Sequence, residues 1–180
     1  MKGAIFVDFI EMVEELYSYD MVDQIILDNT LASGGAYTAV GTYSHVEMLK
    51  LVTSLSKRTD IAVPDLVFAF GKNLFYRLIE RYPDFIKNVD GSFSFVDIIE
   101  SHIHQEVLKL YPDAELPLIS ASAIDDRTLV VIYKSTRPFA DLAHGLLTAC
   151  CEHFGEDVEI IRKELDGPPA THAEFTLTRK

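Results

Sequence analysis

The feature that most constrains this chain is a change of hydrophobic period near Pro112. Upstream, apolar side chains recur every three or four residues, the repeat of an amphipathic helix; downstream they alternate or cluster in short β-branched runs, the repeat of a strand. Ile5, Phe6, Phe9, Ile10, Val13, Leu16 and Tyr17 share one helical face with Glu11, Glu14 and Glu15 opposite, which predicts an opening helix. Val22, Ile25 and Ile26 predict a short second helix, and residues 30–42, with Gly34, Gly35 and Gly41, predict a loop. Ser44 and Glu47 have capping-box spacing ahead of Val46, Leu49, Val52 and Leu55, while Pro64 suits the first turn of a helix carrying Leu66, Phe70, Leu74 and Leu78. After a break at Tyr82-Pro83 and a short apolar piece with Phe85 and Ile86, Ser94 and Asp97 predict a helix opening that runs to Tyr111, where Pro112 stops it.

Beyond that point residues 118–124 and 129–135 predict a hairpin about Asp125-Asp126. Residues 139–154 return to helical spacing and end at Gly155, and strands over 158–165 and 173–178 flank Asp166-Gly167-Pro168-Pro169. The pattern defines an α+β fold, a helical N-terminal half packed on a C-terminal antiparallel sheet with at least one helix. The chain reads as one domain over 1–180, with a helical part over about 1–62 and a second part over about 63–180. No repeat or low-complexity tract interrupts it.

Charge narrows the partners. Sixteen basic against 28 acidic residues give −12, which opposes attraction to nucleic-acid phosphates or an anionic membrane. Mean hydropathy is +0.13, yet no apolar run approaches a membrane span, and Lys2, Asp8 and Glu11 break the N-terminus before a signal-peptide core forms, which points to the cytoplasm. The only cysteines, Cys150 and Cys151, are neighbours in a helical pattern, so neither a disulfide framework nor a thiolate metal site is available and a reducing compartment is the simpler reading.

Of six histidines, His45 and His172 lie in polar contexts, and His144 and His153 sit in a helix without ligand partners. His102 and His104 are two apart on a helix and point away from each other, so they cannot clasp one metal. The core stripe there is Val96, Ile99, Ile103, Val107 and Leu110; His104 borders it, with His102 on the polar side. A lone histidine at an apolar face is ordinarily a core residue. Haem is the cofactor that changes this, since its iron takes one proximal imidazole and its macrocycle wants apolar walls. A second constellation is Tyr133-Lys134-Ser135-Thr136-Arg137, where strand alternation puts Tyr133, Ser135 and Arg137 on one face, a set suited to carboxylates such as haem propionates. Alone, it reads first as a solvated strand face.

Taken together, Met1-Lys2-Gly3, Ile103-His104-Gln105-Glu106-Val107 running into Lys109-Leu110-Tyr111-Pro112, Leu116-Pro117, and Tyr133-x-Ser135-x-Arg137 resemble the H-NOX family of haem nitric oxide/oxygen-binding domains over the whole chain. The resemblance implies haem b buried between the two parts, His104 as iron ligand, Tyr133, Ser135 and Arg137 on the propionates, Pro117 pressing on the porphyrin, and Ile5, Phe9, Leu74, Leu78, Leu142 and Leu146 lining the pocket. Relatives that hold oxygen place a tyrosine where Leu142 stands here and an asparagine where Leu74 stands, so the implied ligands are nitric oxide and CO, with oxygen discriminated against. Some relatives carry a Cys/His zinc site, but Phe139 follows the motif here, and no structural zinc is expected. Loosening of the His104 bond by nitric oxide is expected to release the 99–111 helix and shift the two parts against each other.

The chain carries no output domain up to Lys180, so the resemblance implies a separate signalling partner, a histidine kinase or a diguanylate cyclase/phosphodiesterase. Neither a phosphate loop nor a defensible catalytic triad or carboxylate pair argues for an enzyme. The competing classes are a haem-free module taking a lipid or partner helix into the same apolar pocket, and a haem-based redox or oxygen sensor.

Overall fold

The computed structural model describes all 180 residues. Seven helices precede and interleave with one four-stranded antiparallel sheet: α1 (Gly3–Leu16), α2 (Tyr19–Leu27), α3 (His45–Thr59), α4 (Val63–Arg81), α5 (Ser92–Asp97), α6 (His104–Leu110), β1 (Leu118–Ala123), β2 (Thr128–Lys134), α7 (Ala140–His153), β3 (Val158–Glu164) and β4 (His172–Arg179). A 3₁₀ turn, Pro83–Phe85, follows α4. The α+β reading and the period change near Pro112 both hold.

Helices α1 to α4 bury Phe6, Phe9, Val13, Ile25, Leu51, Leu55 and Phe70 in one core, to which Phe139 adds a ring from the other part. The loop between α2 and α3 is pinned onto this core: the Tyr37 ring stacks on Phe6 at 4.4 Å, and its hydroxyl donates to Glu47 at 2.8 Å. Glu47 therefore departs from the expected capping box. Ser44 Oγ accepts from Val46 N–H at 3.3 Å, but the Glu47 carboxylate turns inward to Ser33 and Tyr37 instead of back to Ser44, because the buried loop offers it donors.

In the sheet, ordered β1-β2-β4-β3, strands β2 and β4 are central and bury Leu129, Val131, Tyr133, Ala173, Phe175 and Leu177 on one face, which α7 covers. Helix α7 ends as the glycine predicts: Gly155 has φ +67°, Gly155 N–H donates to Glu152 O and Glu156 N–H to Cys151 O, both at 3.0 Å, a left-handed cap. Helices α4 and α7 cross at glycines, with Gly71 against the Leu142 carbonyl and Gly145 against that of Phe68. Helix α4 contributes Leu66, Phe70 and Leu74 to the helical core and Phe75 to a third cluster with Phe95, Ile103 and Cys150, so it serves both sides of the expected boundary at residue 62.

The expected helix from Ser94 to Tyr111 is interrupted. It opens earlier, at Ser92, whose N–H is capped at 2.9 Å by the carboxylate of Glu156 from the turn after α7, not by a Ser94-Asp97 box. Between α5 and α6 the backbone widens into a π-helical turn, Ile99–Ile103, in which Ile103 N–H reaches back to Ile98 O at 3.1 Å. Leu110, placed in the core stripe by periodicity, is 56% exposed but lines the same cavity as Val96, Ile99, Ile103 and Val107, the other members of that stripe.

Candidate functional site

A cavity of about 320 Å³ opens between the three apolar clusters, and 28 of its 36 lining residues are hydrophobic. Leu74 and Phe139 face it from the helical core, Tyr133 and Phe175 from the sheet, and Phe75, Ile103 and Cys150 from the third cluster. The structure thus brings ten of the eleven predicted site residues to one cavity: Ile5, Leu74, Leu78, His104, Pro117, Tyr133, Ser135, Arg137, Leu142 and Leu146. Phe9 is the exception. It is fully buried in the helical core, edge-to-face on Phe70 at 5.3 Å, one turn deeper along α1 than Ile5.

His104 opens α6 directly after the π turn, and its side chain is 14% exposed. Burial lowers its pKa and the neighbouring Glu100 partly opposes that, so the neutral imidazole is favoured. Nδ1 lies 3.0 Å from Glu100 Oε1, which leaves Nε2 as the ring nitrogen without a protein partner. The other histidines behave as their contexts suggest: His144 sits between the rings of Phe68 and Phe175, and His102 is exposed.

The polar end is built by a turn, not by strand alternation. Strand β2 stops at Lys134, and Ser135 and Arg137 lie beyond it. The chain is folded back there by Ser135 Oγ accepting from Arg137 N–H at 3.1 Å, by the Tyr133 hydroxyl donating to Arg137 O at 3.4 Å, and by Ser135 N–H donating to Thr171 O at 2.9 Å. The Arg137 guanidinium donates to the Glu115 carbonyl at 2.9 Å and pairs with the Glu115 carboxylate, so it is already held where it accepts an anion at the cavity rim. Met1 lies on the same rim; its ammonium donates to Tyr43 O at 2.9 Å, and burial together with Arg137 lowers its pKa.

Several lining residues escaped the sequence reading. Asp8 is fully buried and pairs with Arg81 at 2.6 and 3.2 Å, and both, with Tyr82 and Tyr111, lie on the cavity wall. Asp8 lies two helical turns from Lys2 among charges that read as solvated face, and only the approach of α4 explains it. Glu100 had a signal that went unused, its position four residues before His104.

One partner-free imidazole nitrogen, apolar walls above and below, and a hydroxyl and guanidinium cluster at one edge fit a haem: one axial nitrogen, a greasy slot and a propionate clamp. Groups of three or more His, Cys, Asp or Glu side chains that could hold a metal ion do not occur. The fold and site define an α+β domain with an apolar cavity that suits a haem, lined by one histidine.

The haem-NO-binding family model matches residues 2–162, and the chain belongs to this family, the H-NOX proteins. The unliganded Fe(II) H-NOX protein from K. algicida superposes with a TM-score of 0.93 at 36% identity, covering 100% of this chain and 97% of that one. The IWP-051-bound H-NOX from Shewanella woodyi, in its Fe(II)CO state, is 40% identical with a TM-score of 0.84, covering 100% of this chain and 95% of that one. An H-NOX protein from S. oneidensis in its Fe(II)NO state is 27% identical with a TM-score of 0.91, covering 100% and 99%. A search of curated proteins found no match. No helix is long and apolar enough to cross a membrane.

Proposed function

We propose that this chain is a non-catalytic nitric oxide sensor over residues 1–180, with CO as a second ligand, haem b as cofactor and His104 as the iron ligand. The observation that carries the reading is His104 itself, a partly buried imidazole on the wall of a cavity that also holds Tyr133, Ser135 and Arg137, with Nδ1 held by Glu100 and Nε2 without a protein partner. Haem, when bound, supplies a ferrous iron that takes a diatomic gas. Tyr133, Ser135 and Arg137 would anchor its carboxylates at the rim, and Pro117 bears on the slot from the start of β1.

Discrimination against oxygen is supported by the leucines that line the same cavity as His104. Leu74, Leu78, Leu142 and Leu146 offer no hydrogen to the partial negative charge of bound oxygen. Among the charged donors that reach the cavity, Arg81 is engaged by Asp8 and Arg137 by Glu115. Signal relay follows from what His104 is attached to: it opens α6 at the end of the π turn, so release of its side chain would be felt directly by that helix. The acidic surface, −12 overall, suits a basic patch on a separate cytoplasmic partner, a histidine kinase or a cyclic-di-GMP enzyme.

The test is an absorption spectrum of the reduced protein without oxygen, then with nitric oxide, CO and air, beside His104→Ala. A Soret band that moves with nitric oxide and CO, stays unligated in air before oxidation and changes in the variant supports the reading. A stable oxygen complex sinks the discrimination, and a colourless protein that takes up no haem leaves the pocket to a lipid or partner helix. Relay is tested with His104→Gly supplied with imidazole: partner regulation that still follows nitric oxide defeats it.

A further inference from the structure

Glu100 makes two contacts with a single oxygen. Its Oε1 accepts Ile119 N–H at 2.6 Å and lies 3.0 Å from His104 Nδ1. An ionised carboxylate only accepts, and with Ile119 N–H already donating to this oxygen the imidazole must be the second donor. Nδ1 therefore carries a proton, and in the neutral ring this leaves the lone pair on Nε2, the tautomer a metal ligand needs.

The arrangement lies at the π turn. Glu100 is inside it and His104 directly after it, four residues on, so one carboxylate reaches both the ring and the strand beside it. Ile119 is the second residue of β1, two positions after Pro117, and both Pro117 and His104 line the cavity. One oxygen thus ties the ligand helix to the strand that carries the proline. The pair is only partly exposed, 14% for His104 and 37% for Glu100, so water competes weakly for it.

We propose that Glu100 is a positioning residue for the iron-ligating imidazole, its carboxylate strengthening the donor power of His104 Nε2 and fastening the ligand helix to β1. The proposal rests on His104 being the iron ligand. A carboxylate acceptor on the far nitrogen of a ligating histidine raises the basicity of the near one and fixes the ring plane. The anchor resists release of His104, so it sets how strong a ligand on the opposite side must be to break that bond. It also gives release a second consequence, since the carboxylate then remains with Ile119 alone.

The experiment compares Glu100→Gln with the parent and with Glu106→Gln, whose carboxylate faces outward to Lys109. Glutamine keeps an acceptor for Ile119 and loses the charge. The iron–histidine stretch of the unliganded ferrous protein, read by resonance Raman, is expected to fall in Glu100→Gln and stay put in Glu106→Gln. Release of the histidine on adding nitric oxide is expected to speed by about tenfold, the lower end of what outer partners contribute at metal sites. A parent band that His104→Ala abolishes but Glu100→Gln leaves unmoved overturns the role of Glu100 alone. A parent with no such band removes the reading of His104 beneath it. Should Glu100→Gln fail to fold, the parent's CO complex still decides by NMR: a slowly exchanging His104 Nδ1 proton supports the anchor, and one exchanging at the solvent rate overturns it.

Discussion

Gly71 and Gly145 bring α4 and α7 into backbone contact: a Cβ on Gly145 would stand 2.1 Å from the Phe68 carbonyl oxygen, and one on Gly71 would stand 2.3 Å from that of Leu142. The same two helices carry Leu74 and Leu78 on one side and Leu142 and Leu146 on the other, so this crossing sets the spacing between those parts of the cavity wall. A methyl at Gly145 meets backbone and forces the helices apart. Gly145→Ala is expected to cost about 1–3 kcal/mol, the range of overpacked sites, read as a lower denaturation midpoint. An unchanged midpoint would mean the crossing has slack.

Arg137 is held by Glu115 at the rim and is the only full positive charge in its motif clamp on the predicted propionates. Charged hydrogen bonds contribute about 1.5–3 kcal/mol each, so Arg137→Ala is expected to speed haem transfer to an excess of apoglobin by about tenfold or more. Glu115→Ala, which frees the guanidinium, is expected to slow transfer or leave it unchanged. Faster loss in both variants would show that the pair matters as structure and not as a clamp.

Asp8 has no exposed surface, and Arg81 is its ion-pair partner. Removing the arginine strands a buried carboxylate, which costs about 3–5 kcal/mol for a fully enclosed pair; since the Arg81 side chain is 39% exposed, the lower end applies here. Arg81→Ala is therefore expected to destabilise more than Asp8→Asn, which keeps the shape and drops the charge. Chemical denaturation of the two variants decides, and the reverse order would sink the account.

Burial lowers the pKa of His144, held between Phe68 and Phe175 with Arg162 adding to the shift and Asp141 opposing it, and lowers that of His45 as well. The folded state then keeps these rings neutral while the unfolded chain takes up protons near 6.5, so their contribution is intact above that value and declines as pH falls below it. Glu156 behaves separately: burial pushes its carboxyl up, but hydrogen bonds from Ser92 and Arg179 hold it below 4.5, so its contribution is lost only below that value. Acid destabilisation is expected in two stages, and His144→Phe is expected to flatten the first. A variant whose stability tracks the parent through both stages would refute this.

Leu142 tests the oxygen reading directly. Leu142→Tyr places a hydroxyl on the wall of the cavity that His104 also lines, where it would donate to bound oxygen, and is expected to produce an oxygen complex that persists in air. Continued absence of that complex, with haem retained, would locate discrimination elsewhere.

Much of this was legible in the order of residues. Helical spacing in α1, α3 and α4, alternation in β2 and β4, Pro64 and Gly155 at helix ends all act within a few residues, so the sequence determined the elements, and a motif of fixed spacing pointed to His104, Tyr133, Ser135 and Arg137. What it left open depends on partners far along the chain. Glu156 caps Ser92, Glu47 abandons Ser44 for Ser33 and Tyr37, Arg81 reaches back to Asp8, and Phe9 turns to Phe70 instead of the cavity. The π turn belongs to this second group, because Glu100 meets Ile119 only once β1 lies beside it. Local periodicity fixes which face of an element is apolar; which buried donor a carboxylate finds, and where a wall leaves room for a cofactor, depends on how the faces meet, and tertiary structure alone decided that.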